Sequence, residues 1–169
     1  MLLIGAALSL RQLAMHESGT TSASITDIYR LLPHRYPFLL IDKIIDIDGD
    51  QSATGIKNVT INEPYFDGPL PENPVVPAML LIEGMAQTAG ALCMHNLAVK
   101  EPPLIYFTGI DKARLRRQVV PGDTIHYHVE KIQSRGRVWR YRGRAIVNDT
   151  LVAHAEFSAV IVDKGAKSA

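Results

Sequence analysis

Cysteine is almost missing from this chain: Cys93 is the only one in 169 residues. No intramolecular disulfide can form, so stability has to come from a packed core, and the redox argument favours the cytoplasm. Cys93 itself lies inside an apolar run and reads as a buried structural thiol, since no neighbouring feature marks it as an activated nucleophile. Net charge is nearly absent as well. A formal balance of +1 says little about partners, and no nucleic-acid recognition motif is present. Long uncharged apolar runs are also lacking. The longest apolar stretch, Ala78 to Leu97, contains Glu83 and Gln87 and is marginal in length for a membrane span, so it reads as a buried helix. The opening run Met1 to Leu10 has no positive residue ahead of it and no convincing small-residue cleavage site before Ser22. We therefore read Met1 to His16 as a short amphipathic or surface-packed helix and not as a secretion signal.

What the chain does have is core material. Hydrophobic residues make up 47% of it, enough for one domain without metals or disulfides. Residues 1–169 are expected to form a single domain, with 1–27 as a helical and linker extension and 163–169 as a polar tail. After a short amphipathic turn through Ile25 to Leu32, Pro33 stops regular structure. Phe38 to Ile47 reads as a strand ending at Asp48-Gly49-Asp50, and Ser52 to Val59 as the returning strand. Between Asn62 and Pro77 the prolines Pro64, Pro69, Pro71 and Pro74 exclude a helix or a central strand, and a loop of this length usually carries function.

Ala78 to Met94 follows as a helix apolar on nearly every face, with Pro77 pre-organised near its first turn. Such a helix is one surrounded by protein. Leu104 to Ile110 is a short strand candidate. Val119 to Asp123 then turns into three strands: Thr124 to Ile132, Val138 to Val147 and Leu151 to Val162. Ser134-Arg135-Gly136 and Asn148-Asp149 supply the reversals. In the middle strand Trp139, Tyr141, Gly143, Ala145 and Val147 alternate with Arg140, Arg142 and Arg144, which places one face on a core. The expected architecture is α+β, an antiparallel sheet wrapped around a long central helix.

Glu83 is the sharpest residue in the sequence. A carboxylate in an apolar helix must have a buried partner, meet solvent through a pocket, or carry a proton because desolvation raised its pKa. Proton transfer suits such a group, and so does a structural bond to a buried arginine or tyrosine. Gln87, four residues on, lies on nearly the same face, where it either orients Glu83 or bonds a neighbouring backbone. At the start of the helix, the free amides of Ala78 and Met79 and the aligned peptide dipoles favour negative charge developing on a docked thioester carbonyl.

These features sit within a longer pattern. Leu32-Pro33-His34-Arg35-Tyr36-Pro37-Phe38-Leu39-Leu40-Ile41-Asp42 and Asn58-Val59-Thr60-Ile61-Asn62-Glu63-Pro64-Tyr65-Phe66 resemble successive blocks of the 3-hydroxyacyl-[acyl-carrier-protein] dehydratases. Gly68 to Gln87 resembles their active-site loop and central helix, and Val119 to Asp123 a later turn. The resemblance runs from about Ile28 to Val162. It implies a hot-dog fold, a minimal dimer with acyl tunnels along the protomer interface, and a substrate carried on acyl carrier protein. It also implies a role for Glu83 as the acid that helps the C3 hydroxyl leave as water, with Gly68, Ala78, Met79 and Gln87 around the substrate.

One position departs from the pattern. Where the family keeps its catalytic histidine, after Gly68, this chain has Pro69, which offers neither a titratable group nor a backbone N–H. Leu70 replaces the usual phenylalanine, and Ala78 the usual glycine, adding a methyl where the thioester approaches. No other histidine is an evident substitute. His34 belongs to the opening signature and reads as structural, and His154 as a sheet-surface residue. His95 lies about 18 Å along the same helix from Glu83. His126 and His128 share a strand face with Glu130, but no third metal ligand is evident, so no metal and no cofactor is expected.

The sequence therefore implies a dehydratase-like protein of fatty-acid or related lipid synthesis. The alternatives are a non-catalytic acyl-carrier-binding subunit, half of a heteromer whose histidine comes from a homologue, and a hot-dog thioesterase. The expected assembly is a homodimer or trimer of dimers. The basic residues Arg114, Arg116, Arg117, Arg140, Arg142 and Arg144 read either as a docking face for the acidic carrier protein or as an ordinary solvated sheet face.

Overall fold

The structure, a computed structural model, describes residues 21–67, 73–97 and 104–162. The helix expected over Met1 to His16 and the polar tail lie outside the described residues. The elements are β1 (Thr21–Ala23), α1 (Ile25–Leu31), β2 (Lys43–Asp48), β3 (Ser52–Asn58), a 3-10 turn at Pro64–Phe66, α2 (Ala78–Leu97), β4 (Leu104–Leu115), β5 (Thr124–Arg135), β6 (Val138–Val147) and β7 (Thr150–Val162). All strands join one antiparallel seven-stranded sheet in the order β1-β2-β3-β5-β6-β7-β4. No helix among the described residues is long and apolar enough to cross a membrane.

Local chemistry explains the element ends. Ser24 and Asp27 form a reciprocal capping box that starts α1. Gly49, Gly122 and Gly136 take positive φ at reversals, and Asn148 and Asp149 both do so in the β6–β7 turn. The sheet closes on α2, whose Leu81, Ile82, Met85, Ala89, Ala91, Leu92 and Met94 are buried against Ala53, Tyr127, Val129, Tyr141, Ala145 and Phe157. Each large aliphatic side chain so buried stabilises the fold by roughly 1.5–3 kcal/mol. On β6 the expected alternation holds: Tyr141, Gly143, Ala145 and Val147 are buried, while Arg142 and Arg144 are exposed.

Helix and sheet approach closely only because glycines stand at the crossings. A Cβ at Gly84 would lie under 3.0 Å from two ring carbons and the hydroxyl oxygen of Tyr127, and one at Gly143 would lie 2.6 Å from Met85 Sδ and 2.9 Å from Met85 Cβ. The Met85 Cβ is fixed by its helix, and the Tyr127 ring, 2% exposed, has nowhere to go. Gly84→Ala is therefore expected to lower stability by about 1–3 kcal/mol despite alanine's better helix propensity, measured by denaturant unfolding at equilibrium. A variant as stable as the parent would show that the ring can shift.

Three expectations about elements need correction. The strand read over Phe38 to Ile47 begins only at Lys43, because the preceding backbone is satisfied elsewhere. Arg35 carbonyl accepts from the N–H groups of Phe38 and Leu39, and the Gln87 side chain takes that of Leu40. The proline-rich loop contains a short 3-10 turn at Pro64–Phe66, which tolerates Pro64 at its first position. The strand read over Leu104 to Ile110 continues to Leu115. Register shifts between Phe107 and Gly109 and between Asp111 and Arg114 hide its second half from any period-two pattern.

Candidate active site

Glu83 is not sealed in the core. Its side chain is 35% exposed and reaches a cavity of about 260 Å³ between α2 and the β4–β7–β6 end of the sheet. The residues of α2 that line this cavity are Glu83, Ala86, Gln87, Ala89, Gly90 and Cys93. Between Leu81 and Met94 the helix is thus surrounded by protein except along the stripe of Glu83, Ala86 and Gly90, which stays partly open. Much of the remaining wall is apolar, with Ile105, Phe107, Phe157 and Ile161 among its residues. An apolar chain fits such a wall, and a polar head would meet the few polar groups on it.

Gln87 settles a choice that the sequence left open, because it makes both kinds of contact. Its Oε1 accepts from the backbone N–H of Leu40 at 2.8 Å. That fixes the amide orientation and leaves Nε2 to donate to Phe38 carbonyl at 2.7 Å and to Glu83 Oε1 at 2.9 Å. The amide, only 2% exposed, therefore orients the carboxylate and clamps the Phe38–Leu40 segment onto the helix.

A residue that the sequence reading treats as structural also belongs here. His34 lines the same cavity, and its Nε2 lies 3.6 Å from Glu83 Oε1. No periodicity could have revealed this, because His34 sits in an irregular segment and Glu83 on a helix far along the chain. The sequence placed His34 in the opening signature but gave no sign that Glu83 is its neighbour.

The other predicted residues divide. Ala78 and Met79 open α2 and are exposed, Met79 by 60%, and neither lines the cavity. Their N–H groups belong to the first turn, where helices leave donors free. They lie roughly 6 to 7.5 Å along the axis from Glu83. Gly68, Pro69 and Leu70 lie outside the described residues. Cys93 is buried as expected, and its burial pushes the thiol up to about 11. The two histidines of β5 are occupied with each other and with the sheet: the rings of His126 and His128 stack at 6.4 Å, and His128 Nδ1 lies 2.8 Å from Thr54 Oγ1.

The basic face is less free than its sequence suggests. Glu156 on β7, 7% exposed, sits in register with Arg142. It pairs with Lys112 at 3.1 Å, Arg140 at 2.9 Å and Arg142 at 3.3 Å. Those bonds, Lys112 foremost, hold its carboxyl below the ordinary carboxylate value. Arg114, Arg116, Arg117 and Arg144 remain exposed.

Comparison with known proteins bears directly on this arrangement. The FabA-like domain family matches residues 32–156, which spans the segment of His34, all of α2 and the sheet from β2 as far as Glu156. The chain belongs to the FabA-like family. Within it, the chain is 55% identical over 153 residues to a 3-hydroxyacyl-[acyl-carrier-protein] dehydratase FabZ of Rhizobium etli, covering 89% of this chain and 98% of that one. A FabZ of Allorhizobium ampelinum is 57% identical over 145 residues, covering 86% and 94%. Among solved structures, the dehydratase heterocomplex ApeI:P from Xenorhabdus doucetiae matches with a TM-score of 0.67 at 20% identity, covering 81% of this chain and 91% of that chain. At that identity the likeness speaks for the fold alone. The FabA-like chain has the hot-dog fold expected from its sequence, and it is a dehydratase-like protein of fatty-acid synthesis.

Proposed function

We propose that this chain removes water from (3R)-hydroxyacyl thioesters carried on acyl carrier protein, with Glu83 as the acid. The observation that carries the reading is that Glu83 is the only carboxylate among the described residues lining the apolar cavity, and Gln87 aims it there. The thioester carbonyl docks at the start of α2 near the amides of Ala78 and Met79, whose dipoles favour the enolate-like charge that builds up as the C2 proton leaves. The short axial distance from there to Glu83 suits a substrate whose carbonyl and C3 hydroxyl are separated by one carbon. The family resemblance adds Gly68 to the residues expected around the substrate. The test is product identity. Purified protein incubated with a series of (3R)-hydroxyacyl carrier proteins and read by mass spectrometry should give a loss of water. Release of free acid would indicate a thioesterase, and binding without change a non-catalytic subunit.

A second reading has a specific observation in its favour. Pro69 removes the family's histidine, so this chain would contribute Glu83 to a heteromer in which a homologue supplies that base. The dehydratase heterocomplex ApeI:P from Xenorhabdus doucetiae shares this fold.

The working unit is at least a dimer, as a homodimer or trimer of dimers. The open stripe on α2 and the edge strand β4, with Tyr106 53% and Phe107 44% exposed, call for cover that a second copy would supply. Sedimentation at micromolar concentration should give a dimer or larger, and a stable, active monomer would refute this.

The carrier protein docks on the exposed arginines Arg114, Arg116, Arg117 and Arg144, because Glu156 already engages Arg140 and Arg142. Reversing Arg116 and Arg117 to glutamate should slow carrier association, with added salt reproducing the effect on the parent protein. Unchanged binding at low salt would assign the patch to solubility. Such chemistry supports a cytoplasmic location, where acyl carriers are made and used.

A further inference from the structure

The family histidine is missing, yet the cavity holds a different one. We infer that His34 is a catalytic residue: the base that takes the C2 proton of the substrate, in the same protomer as Glu83. The inference rests on the dehydratase reading and adds to it the group that reading lacks.

Three observations carry it. First, His34 Nε2 lies 3.6 Å from Glu83 Oε1 on the wall of the same cavity, so a substrate whose C3 hydroxyl reaches Glu83 brings its adjacent C2 within range of the ring. Nδ1 is the buried nitrogen, without a hydrogen-bond partner among the described residues. The nitrogen beside the carboxylate is therefore Nε2.

Second, the segment that carries the ring is braced on both sides. The Arg35 guanidinium donates to Leu32 carbonyl at 2.8 Å, to His34 carbonyl at 2.7 Å and to Tyr29 carbonyl at 2.9 Å, and it packs over the Tyr29 ring at 4.7 Å. Downstream, Gln87 holds Phe38 and Leu40. A side chain mounted on backbone fixed at so many points is held near one geometry, which is what proton abstraction from carbon requires.

Third, His34 has no structural duty toward Glu83, because the bond that orients the carboxylate comes from Gln87. The other titratable groups on the wall, Cys93 and Tyr141, are both pushed up by burial, Cys93 to about 11. Neither is a base at neutral pH.

The step balances within the pair. The C2–H bond breaks and its proton goes to His34 Nε2. Its electron pair forms the C2–C3 double bond, the C3–O bond breaks, and the proton on the Glu83 carboxyl joins the departing hydroxyl to make water. Turnover leaves imidazolium beside carboxylate. Transfer of one proton from His34 to Glu83 across that short gap restores both groups, and no co-reactant is consumed.

The test is His34→Ala in the full-length protein, with enoyl formation measured with and without added imidazole. Turnover should fall by about 10²-fold or more, the scale of a positioned base, while binding of the hydroxyacyl carrier protein is retained. Imidazole should recover a saturable part of the lost rate by entering the vacated space, a response that a merely structural residue would not give. His34→Gln, which fills the space without supplying a base, should be equally slow and should not respond to imidazole. Parental rates in His34→Ala would overturn the inference, as would full activity in His34→Gln. Enoyl formation by Pro69→His but not by the parent would overturn it while leaving the dehydratase reading in place. No enoyl from either would overturn both.

Discussion

Glu83→Gln is expected to lower the rate of water loss by about 10² or more, the contribution of a positioned acid or base, and to leave the fold intact. The substitution keeps size and shape and removes only the ability to carry and deliver a proton. The amide oxygen of the new side chain can still accept from Gln87 Nε2, the bond that holds Glu83 in the parent at 2.9 Å, so the clamp on Phe38 and Leu40 should survive. Because the carboxylate is about a third exposed, it is not a desolvated charge whose removal would release a large penalty. Stability should therefore change by no more than about 0.5 kcal/mol, as at other sites away from the sealed core. The measurement is kcat for enoyl formation beside a denaturant unfolding curve on the same preparation. Full turnover in a protein that has lost several kcal/mol would assign Glu83 to structure. Lost turnover in an unchanged fold would assign it to chemistry.

Pro69→His is expected to raise enoyl formation, by a factor up to the roughly 10² that an added base supplies. The motivation is chemical: the family resemblance implies a histidine at the position of Pro69, whose side chain has nothing to titrate. If His34 already serves as base, the gain is an addition to working chemistry and falls short of the full factor. The loop sets a second limit. Proline holds φ near −65°, and Leu70 stands where the family has a larger ring, so a histidine placed there frees the loop as well as adding a base. A displacement of about 1 Å would erase much of the gain. Rates of parent and variant should be compared at matched dimer concentration. An increase that vanishes when Glu83→Gln is added would put both residues in one reaction. No increase, in a variant that still binds the acyl carrier, would show that position 69 no longer faces the substrate.

The fold was legible in the sequence wherever one physical pattern acted alone. Residues 78–94 are apolar on nearly every face, which only a helix surrounded by protein satisfies. In β6 the arginines alternate with the residues that became the core. Legibility failed where a second effect intervened. Phe38 to Ile41 has the composition of a strand, but its backbone donors go to a turn and to Gln87. The second half of β4 is hidden by bulges and by Lys112 at positive φ.

The basic face illustrates the same limit. Counting back from the Asn148-Asp149 turn would set Arg142 opposite Ala155. A register slip between Ala145 and Ile146 instead brings it opposite Glu156, and Arg140 and Arg142 join an ion-pair cluster. For the site, Glu83 announced itself because a carboxylate on an apolar helix demands an explanation. Gln87 was visible as its neighbour at helical spacing, but its tie to the Phe38–Leu40 segment was not. His34 was invisible as a partner, since its place beside Glu83 depends on how an irregular segment is pinned to the helix.

If this chain, without any other, removes water from a hydroxyacyl thioester by way of Glu83, homogeneous protein must do so in isolation. The most direct test is the rate of enoyl-carrier formation by the purified chain acting on (3R)-hydroxyacyl carrier protein, set beside the same protein carrying Glu83→Gln. The water-loss product should form at least about 10²-fold faster in the parent than in the variant. A parent that binds the substrate and returns it unchanged, at the same level as the variant, would contradict this assignment.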